Sequence, residues 1–340
     1  MAEPDGPRRL HFNESPFPPP DYVVEAVAKA ARTLNLYPSE ATSGLAEAIA
    51  GYAGVSADRI VLTDGSLEAL YQLAILADAP PGAEIVTPDP TFPAFPKVAR
   101  LHHLVHRRMP VRPDGVADVD AILAAITPQT ALVCVPSPGN PTGGILPEAE
   151  LARLCAGIPG QALFHLDEAY YEFGRHAGGP DTLPHLSRVA GRWLATRSAS
   201  KAFGLAGVRL GYVIASDAAF AAEIREKRPT FNVNALALAA GRAAVEHAAD
   251  SLARVAAISA ERERLAEGLR ALGLATLPSG ANFIAFDAAP LGPDPVAALR
   301  ESGILLIAFT MPGERPMLRA SIGTAEDSDA LLEALRSLMP

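Results

Sequence analysis

Cysteine is nearly absent from this chain. The two present, Cys134 and Cys155, make neither a disulfide framework nor a metal-ligand spacing. Both sit in apolar stretches, where packed thiols belong. Lysine is scarce too: of 29 basic residues only Lys29, Lys97, Lys201 and Lys227 are lysines, which leaves 25 arginines. Basic charge is not in excess either. The net charge is −9, which disfavours a protein that tracks nucleic-acid phosphates. No long hydrophobic run occurs. The most apolar stretch, 235–245, is cut by Arg242 and is too short to span a bilayer. The start, MAEPDGPRR, has no apolar segment after its charges, so no secretory leader is expected. These absences leave a soluble, cytoplasmic protein as the expectation.

What is there suits an ordered globular chain: 49% apolar and 20% charged residues. At 340 residues it has room for two or three domains, or one large α/β unit with an appendage. Short β-rich runs alternate with helix-patterned ones. Strands are expected at 59–63, 84–87, 130–135, 162–166, 193–196 and 209–214. Helices are expected at 66–77, 95–101 and 148–156. The strand runs are apolar without alternation, which predicts burial on both faces of a mostly parallel, helix-covered sheet. After about Asn232 the texture changes. Long Ala/Leu/Arg helices are expected at 235–247 and 251–272, then two short strands at 283–286 and 317–322. Thr324 and Asp327 have the spacing of a capping box for a last helix through Leu338. Residues 37–231 therefore read as a large domain. Residues 1–36 and 232–340 read as a smaller α+β one.

In open parallel sheets ligands sit beyond the carboxyl ends of the strands. Four polar sites follow strands here. The first is the loop Ser137-Pro138-Gly139-Asn140-Pro141-Thr142-Gly143-Gly144, where Asn140 could simply serve its own turn. The second is Asp167-Glu168-Ala169-Tyr170. Its leading carboxylate ends a buried strand, either as a helix cap or facing a cationic ring nitrogen. The third is Ser198-Ala199-Ser200-Lys201. The other three lysines fit solvated surface positions, but Lys201 lies among hydroxyls and small residues. A desolvated amine there becomes a nucleophile able to form a Schiff base. The fourth is Gly207 to Tyr212, which puts Arg209 eight residues past Lys201. A guanidinium beside two serines suits a phosphate. Asp64-Gly65-Ser66, where a strand turns into a helix, offers a second anion site. Together these supply an amine for an aldehyde, a carboxylate for a pyridinium nitrogen, donors for a phenolate and a phosphate cradle. Those are the needs of pyridoxal 5′-phosphate.

The motifs HFNESPF, LYPSE, TDGSLEAL, PDPTF, SPGNPTG, DEAYYEF, SASKAFGLAGVRLGY, RPTFNVN, SGANF and LRASIGT occur in one order along nearly the whole chain. In this the sequence resembles the class I/II aminotransferases of fold type I, and most of all their histidinol-phosphate branch. The resemblance implies that Lys201 holds pyridoxal phosphate and shuttles the proton. It implies that Asp167 pairs with the ring nitrogen, and that Asn140 and Tyr170 bond the ring hydroxyl. Ser198, Ser200 and Arg209, with Gly65 and Ser66, would bind the phosphate, and Phe92 would stack on the ring. Tyr37 would reach the neighbouring subunit's phosphate, which implies a homodimer with shared sites. Arg319 would grip the substrate α-carboxylate, with Asn13 close by.

The chain departs from the pattern in two places. Leu67 stands where the family usually has an acidic residue. Ile307, in GILLIAFT, aligns with the arginine that binds the substrate phosphate in histidinol-phosphate enzymes, while Arg315 lies in another register. Residues 303–315 are expected to line the side-chain pocket. The expected activity is therefore transfer of an amino group from an L-amino acid with an uncharged or apolar side chain to a 2-oxo acid. The alternative is a decarboxylase of the same fold. A cofactor-sensing regulator lacks its basic helix-turn-helix here, and a dinucleotide-binding dehydrogenase lacks its Gly-x-Gly-x-x-Gly.

Overall fold

The computed structural model describes residues 6–339. Twelve strands occur among them: β1 (Arg8–Arg9), β2 (Ile60–Thr63), β3 (Glu84–Asp89), β4 (Val105–Pro110), β5 (Thr130–Pro136), β6 (Leu163–Asp167), β7 (Trp193–Ser198), β8 (Gly211–Ala215), β9 (Phe283–Asp287), β10 (Ile304–Leu305), β11 (Ile307–Met311) and β12 (Arg315–Ser321). Seven of them form one sheet in the order β2-β8-β7-β6-β5-β3-β4. Only β8 runs against its neighbours.

The apolar runs explain this sheet. β2, β6, β7 and β8 are buried at every residue. Alternate residues feed two cores. Val61, Leu132, Cys134, Leu163, Leu194 and Val213 pack under the helices Gly65–Leu76, Ala94–Leu101 and Ala218–Lys227. Leu62, Val133, Val135, Phe164, Leu166 and Ile214 pack on the other side with Leu151 and Leu154 of the helix Glu148–Gly157. Both cysteines are buried thiols, as their apolar setting predicts.

β4 escapes the apolar pattern. Its sequence, VHRRMP, is an edge strand open to solvent on most residues. Arg107 and Arg108 stand there against Glu84 and Asp89 of β3. An edge strand needs backbone pairing rather than two apolar faces, so period-2 hydrophobicity does not mark it.

The C-terminal region holds more strand than expected. β11, β12 and β9 make a three-stranded antiparallel sheet, and β10 pairs with β1 of the N-terminal arm. The long helix runs Ala248–Ala271. The last helix, Ala325–Leu338, carries the capping box of Thr324 and Asp327. Arg8 bonds Asp327 at 2.5 Å and Glu326 at 3.0 Å, tying the arm to that helix. No helix among the described residues is long and apolar enough to cross a membrane.

Among the described residues one ion pair is wholly interior. Arg197 of β7 donates from Nε to Glu168 at 2.9 Å, with both side chains at most 1% exposed. Thr182 donates to the other Glu168 oxygen at 2.6 Å, and the Tyr171 ring lies 3.3 Å from the guanidinium carbon. Removing one partner leaves a buried, uncompensated charge, at a cost of about 3–5 kcal/mol. Arg197→Met is therefore expected to lower the urea midpoint sharply. Adding Glu168→Gln to it should recover part of the loss. A single variant that unfolds at the parent's midpoint would show the pair to be dispensable.

Candidate active site

The site forms because three parallel strands end side by side. Pro136 of β5 pairs with Asp167 of β6, and Asp167 pairs with Thr196 of β7. The loop after β5, the turn after β6 and the serines after β7 thus open on one cavity of about 330 Å³. Its lining includes Asn13, Ser66, Leu67, Phe92, Asn140, Asp167, Tyr170, Ser198, Ser200, Lys201, Arg209 and Arg319. Of the cofactor, catalytic and α-carboxylate residues expected from sequence, only Gly65 and Tyr37 are not lining residues. Gly65 lies just beneath, against Arg209. Tyr37 is 79% exposed and stacks on Phe231 at 4.5 Å.

Asn140 does not serve its own turn. Its Nδ2 donates to the Tyr170 hydroxyl at 3.3 Å, and its Oδ1 accepts from Arg319 at 2.6 Å. Asn13 also donates to the Tyr170 hydroxyl, at 2.8 Å. With two donors on its oxygen, Tyr170 keeps its own O–H proton to give. Arg319 reaches the site from β12 and also donates to the His11 carbonyl. Its buried Nε has no partner among the described residues.

Lys201 is the one lysine turned inward. Its Nζ donates to the carbonyls of Phe12 and Asn13, each at 3.0 Å. Burial, reinforced by the charge of Arg319, pushes its pKa down to about 8. Such an amine has a usable neutral fraction near neutral pH. Burial has the opposite effect on Asp167, whose carboxyl is pushed up to about 6. Asp167 also accepts the Ala169 N–H at 3.1 Å within the turn after β6, but it does not cap the following helix, whose N-cap is Tyr170, so the cap reading gives way to the cavity-facing one.

The anion cradle depends on two missing side chains. A Cβ on Gly65 would lie 2.2 Å from Arg209 Nη2, and one on Gly211 would lie 2.4 Å from the Ser66 nitrogen. Arg209 can therefore rest against the N-terminus of the helix Gly65–Leu76, where free N–H groups and the helix dipole favour a phosphate. Arg209 holds a left-handed φ of +61° and Asn13 one of +54°. Such strained backbone persists where the surroundings enforce it. A buried acid, a depressed lysine and a guanidinium–serine cradle in one cavity fit a pyridine ring bearing an aldehyde and a phosphate.

Sequence reasoning did not single out Asn282 or Ser321. Asn282 donates to the Asn13 carbonyl at 3.0 Å, and Ser321 exchanges bonds of 2.8 and 3.0 Å with Asn13. Ser321 follows Arg319 by two, so strand periodicity carried a signal. Of the stretch 303–315, none lines this cavity. Thr310 to Glu314 line a separate, more open cleft of about 530 Å³ with Asp89, His106 and Arg108. Thr310 and Met311 end β11, which pairs with β12, and Pro312 to Glu314 form the turn between the two strands, at the end of the hairpin remote from the Ile307–Arg319 pair. Arg315 bonds Asp287 at 2.8 Å.

The family described as "Aminotransferase class I and II" matches residues 9–335. The chain is 36% identical over 330 residues to an aromatic amino acid aminotransferase of Rhodococcus opacus, covering 96% of this chain and 89% of the relative. It is 37% identical over 339 residues to a histidinol-phosphate aminotransferase of Granulibacter bethesdensis, covering 97% and 89%. Its fold superposes with a TM-score of 0.89 on the crystal structure of histidinol-phosphate aminotransferase from Sinorhizobium meliloti in complex with pyridoxal-5′-phosphate. The identity there is 28%, with 97% of this chain and 90% of that one covered.

The raised Asp167 carboxyl links stability to pH. Folding favours its protonated form, so the stabilisation is complete below about 3.8 and is lost as pH rises through about 6. In cofactor-free protein, Asp167→Asn should raise the melting temperature at pH 7 and leave it unchanged at pH 4. An unchanged melting temperature at pH 7 would contradict a desolvated carboxylate.

Proposed function

The chain belongs to the class I and II aminotransferases, and we propose that it takes its amino group from an L-amino acid with an uncharged, apolar or aromatic side chain. The enzyme is a pyridoxal-phosphate-dependent transaminase of fold type I, acting on an amino acid and a 2-oxo acid. One observation carries the side-chain reading. Three cations of the chain line the cavity: Lys201, Arg209 and Arg319. In this reading Lys201 would hold the cofactor aldehyde, Arg209 its phosphate and Arg319 the substrate α-carboxylate. Among the described lining residues no arginine or lysine is left for a side-chain phosphate, and burial holds the remaining basic group, His11, below its ordinary pKa. Ile307 stands opposite Arg319 in the β11–β12 ladder, and Arg315 is engaged by Asp287. The aromatic-specific name of the Rhodococcus relative supports the same direction.

When bound, the cofactor supplies a conjugated ring that accepts the electron pair left at the substrate Cα. The protein does the rest. Asp167 would bond the ring nitrogen, and Asn140 and Tyr170 would bond the ring hydroxyl. Gly65, Ser66, Ser198, Ser200 and Arg209 would hold the phosphate, and Phe92 would cover the ring face. Arg319 orients the α-carboxylate bidentately, with Asn13 beside it. Lys201 Nζ takes the Cα proton, and its depressed pKa suits a general base near neutral pH.

We assign residues 37–231 to the unit that carries the cofactor, and residues 1–36 and 232–340 to the smaller unit. The protein works as a cytoplasmic homodimer in which Tyr37 reaches the partner's phosphate site. The exposed side chains of Leu34, Leu36, Tyr37 and Phe231 support an interface there.

The test is a visible spectrum of the reconstituted enzyme titrated with a panel of amino donors. Phenylalanine, tyrosine and aliphatic amino acids should bleach the chromophore, and histidinol phosphate should do so at least about tenfold less efficiently. A preference for histidinol phosphate would reverse the side-chain reading. Lys201→Ala should abolish both turnover and the parent's visible band. Asp167→Asn should cost far more in kcat than in cofactor affinity. Arg319→Ala should raise KM for every amino acid by roughly 100-fold, the scale of a lost buried charge-assisted pair; an effect confined to one donor would remove it from the carboxylate.

A further inference from the structure

Asp167 is backed by two buried polar side chains that the reading above does not use. Thr196 is its register partner on β7, and its Oγ1 lies 3.4 Å from Asp167 Oδ1. His165 sits two residues before Asp167 on β6, so both side chains leave the same face. The His165 Nε2 lies 2.9 Å from Thr196 Oγ1. All three are buried, His165 and Thr196 completely.

The direction of this chain follows from its ends. A carboxylate only accepts, so Thr196 points its O–H at Asp167. The threonine oxygen is then free to accept, and His165 must carry its proton on Nε2. The other ring nitrogen, Nδ1, is buried with no partner among the described residues. That bare nitrogen marks a neutral ring, and burial pushes the pKa down to about 3. His165 is a fixed donor and not a proton reservoir.

Nothing apolar is gained from the histidine. Its neighbours are the Phe95 ring, with centroids 5.8 Å apart, and its register partners Cys134 and Leu194. Leucine would suit that slot, and an orphaned buried nitrogen is costly. A residue that breaks the local rule without gain in packing points to a role at the site. The two donors to Asp167, the Ala169 N–H and the Thr196 hydroxyl, both fall on Oδ1. Oδ2 receives none from the described residues and is left for the cavity.

We infer that His165 and Thr196 form an oriented hydrogen-bond chain that anchors Oδ1 of Asp167 and so aims Oδ2 at the cofactor's ring nitrogen. Both are positioning residues acting through Asp167, and the inference rests on the assignment of Asp167 above. Polarised chains of this kind strengthen their terminal bond. Long contacts at such sites also shorten once the ligand is in place.

The test compares two probes on the full-length enzyme: pyridoxal 5′-phosphate and its 1-deaza analogue, in which carbon replaces the ring nitrogen. The parent should bind the natural cofactor more tightly. Thr196→Val, nearly isosteric, and His165→Leu should each weaken binding of pyridoxal phosphate by roughly tenfold. Binding of the analogue should stay within about twofold. The double variant should lose no more than Thr196→Val alone. Thr196→Ser and His165→Gln, which keep the donors, should return to the parent's preference. Equal losses for both probes, or additive losses in the double variant, would overturn the chain and leave the pair a packing feature. If His165→Leu fails to fold, Thr196→Val decides alone. A parent that binds both probes equally would reject Asp167 as the partner of the ring nitrogen, and the chain with it.

Discussion

The parallel, in-register alignment of β5, β6 and β7 is the constraint on which the rest depends. Parallel neighbours end on the same edge, about 5 Å apart. The loop after β5 and the last residues of β6 and β7 therefore deliver Asn140, Asp167 and Ser198 to one cavity. Shifting one strand by a single residue would turn Asp167 to the opposite face. The register is held because both faces are apolar and filled. The same packing that stabilises the sheet fixes the chemistry at its edge.

Burial then sets the electrostatics. It raises the carboxyl of Asp167 and lowers the amine of Lys201. Both shifts oppose folding of the cofactor-free chain, since each group is held where its charged form is disfavoured. The interior ion pair of Arg197 and Glu168 lies one residue from Ser198 and Asp167 in the chain. It pins the ends of β6 and β7 where the site would otherwise be most easily deformed. Stability and function are thus coupled through neighbouring residues on the same two strands.

The cavity is closed by parts of the chain that are distant in sequence. Asn13 of the arm touches Tyr170, Ser321 and Asn282. Arg319 bonds Asn140 across 179 residues. The left-handed backbone at Asn13 is enforced by these contacts from both sides. The small C-terminal sheet is accordingly part of the site, because it carries Arg319, whose guanidinium bonds Asn140 of the SPGNPTG loop.

The sequence by itself determined the alternation of buried strands and helices, the capping box before Ala325, and the lysine that does not behave as a surface charge. Local physics suffices for these: hydrophobic period, cap chemistry and the small-residue setting of Lys201. Tertiary structure decided what local pattern leaves open. The edge strand β4 and the hairpin strand β11 are defined by backbone partners, which an amphipathic pattern does not encode. Asn140 became a link between Tyr170 and Arg319 rather than a turn residue, and Thr310 to Glu314 fell outside the cavity, because contacts between remote segments fix where side chains point. His165 reads in sequence as one apolar-strand histidine among eight histidines. Only the cross-strand placement of Thr196 gives it a donor's role, since a hydrogen bond between strands requires the register that folding creates.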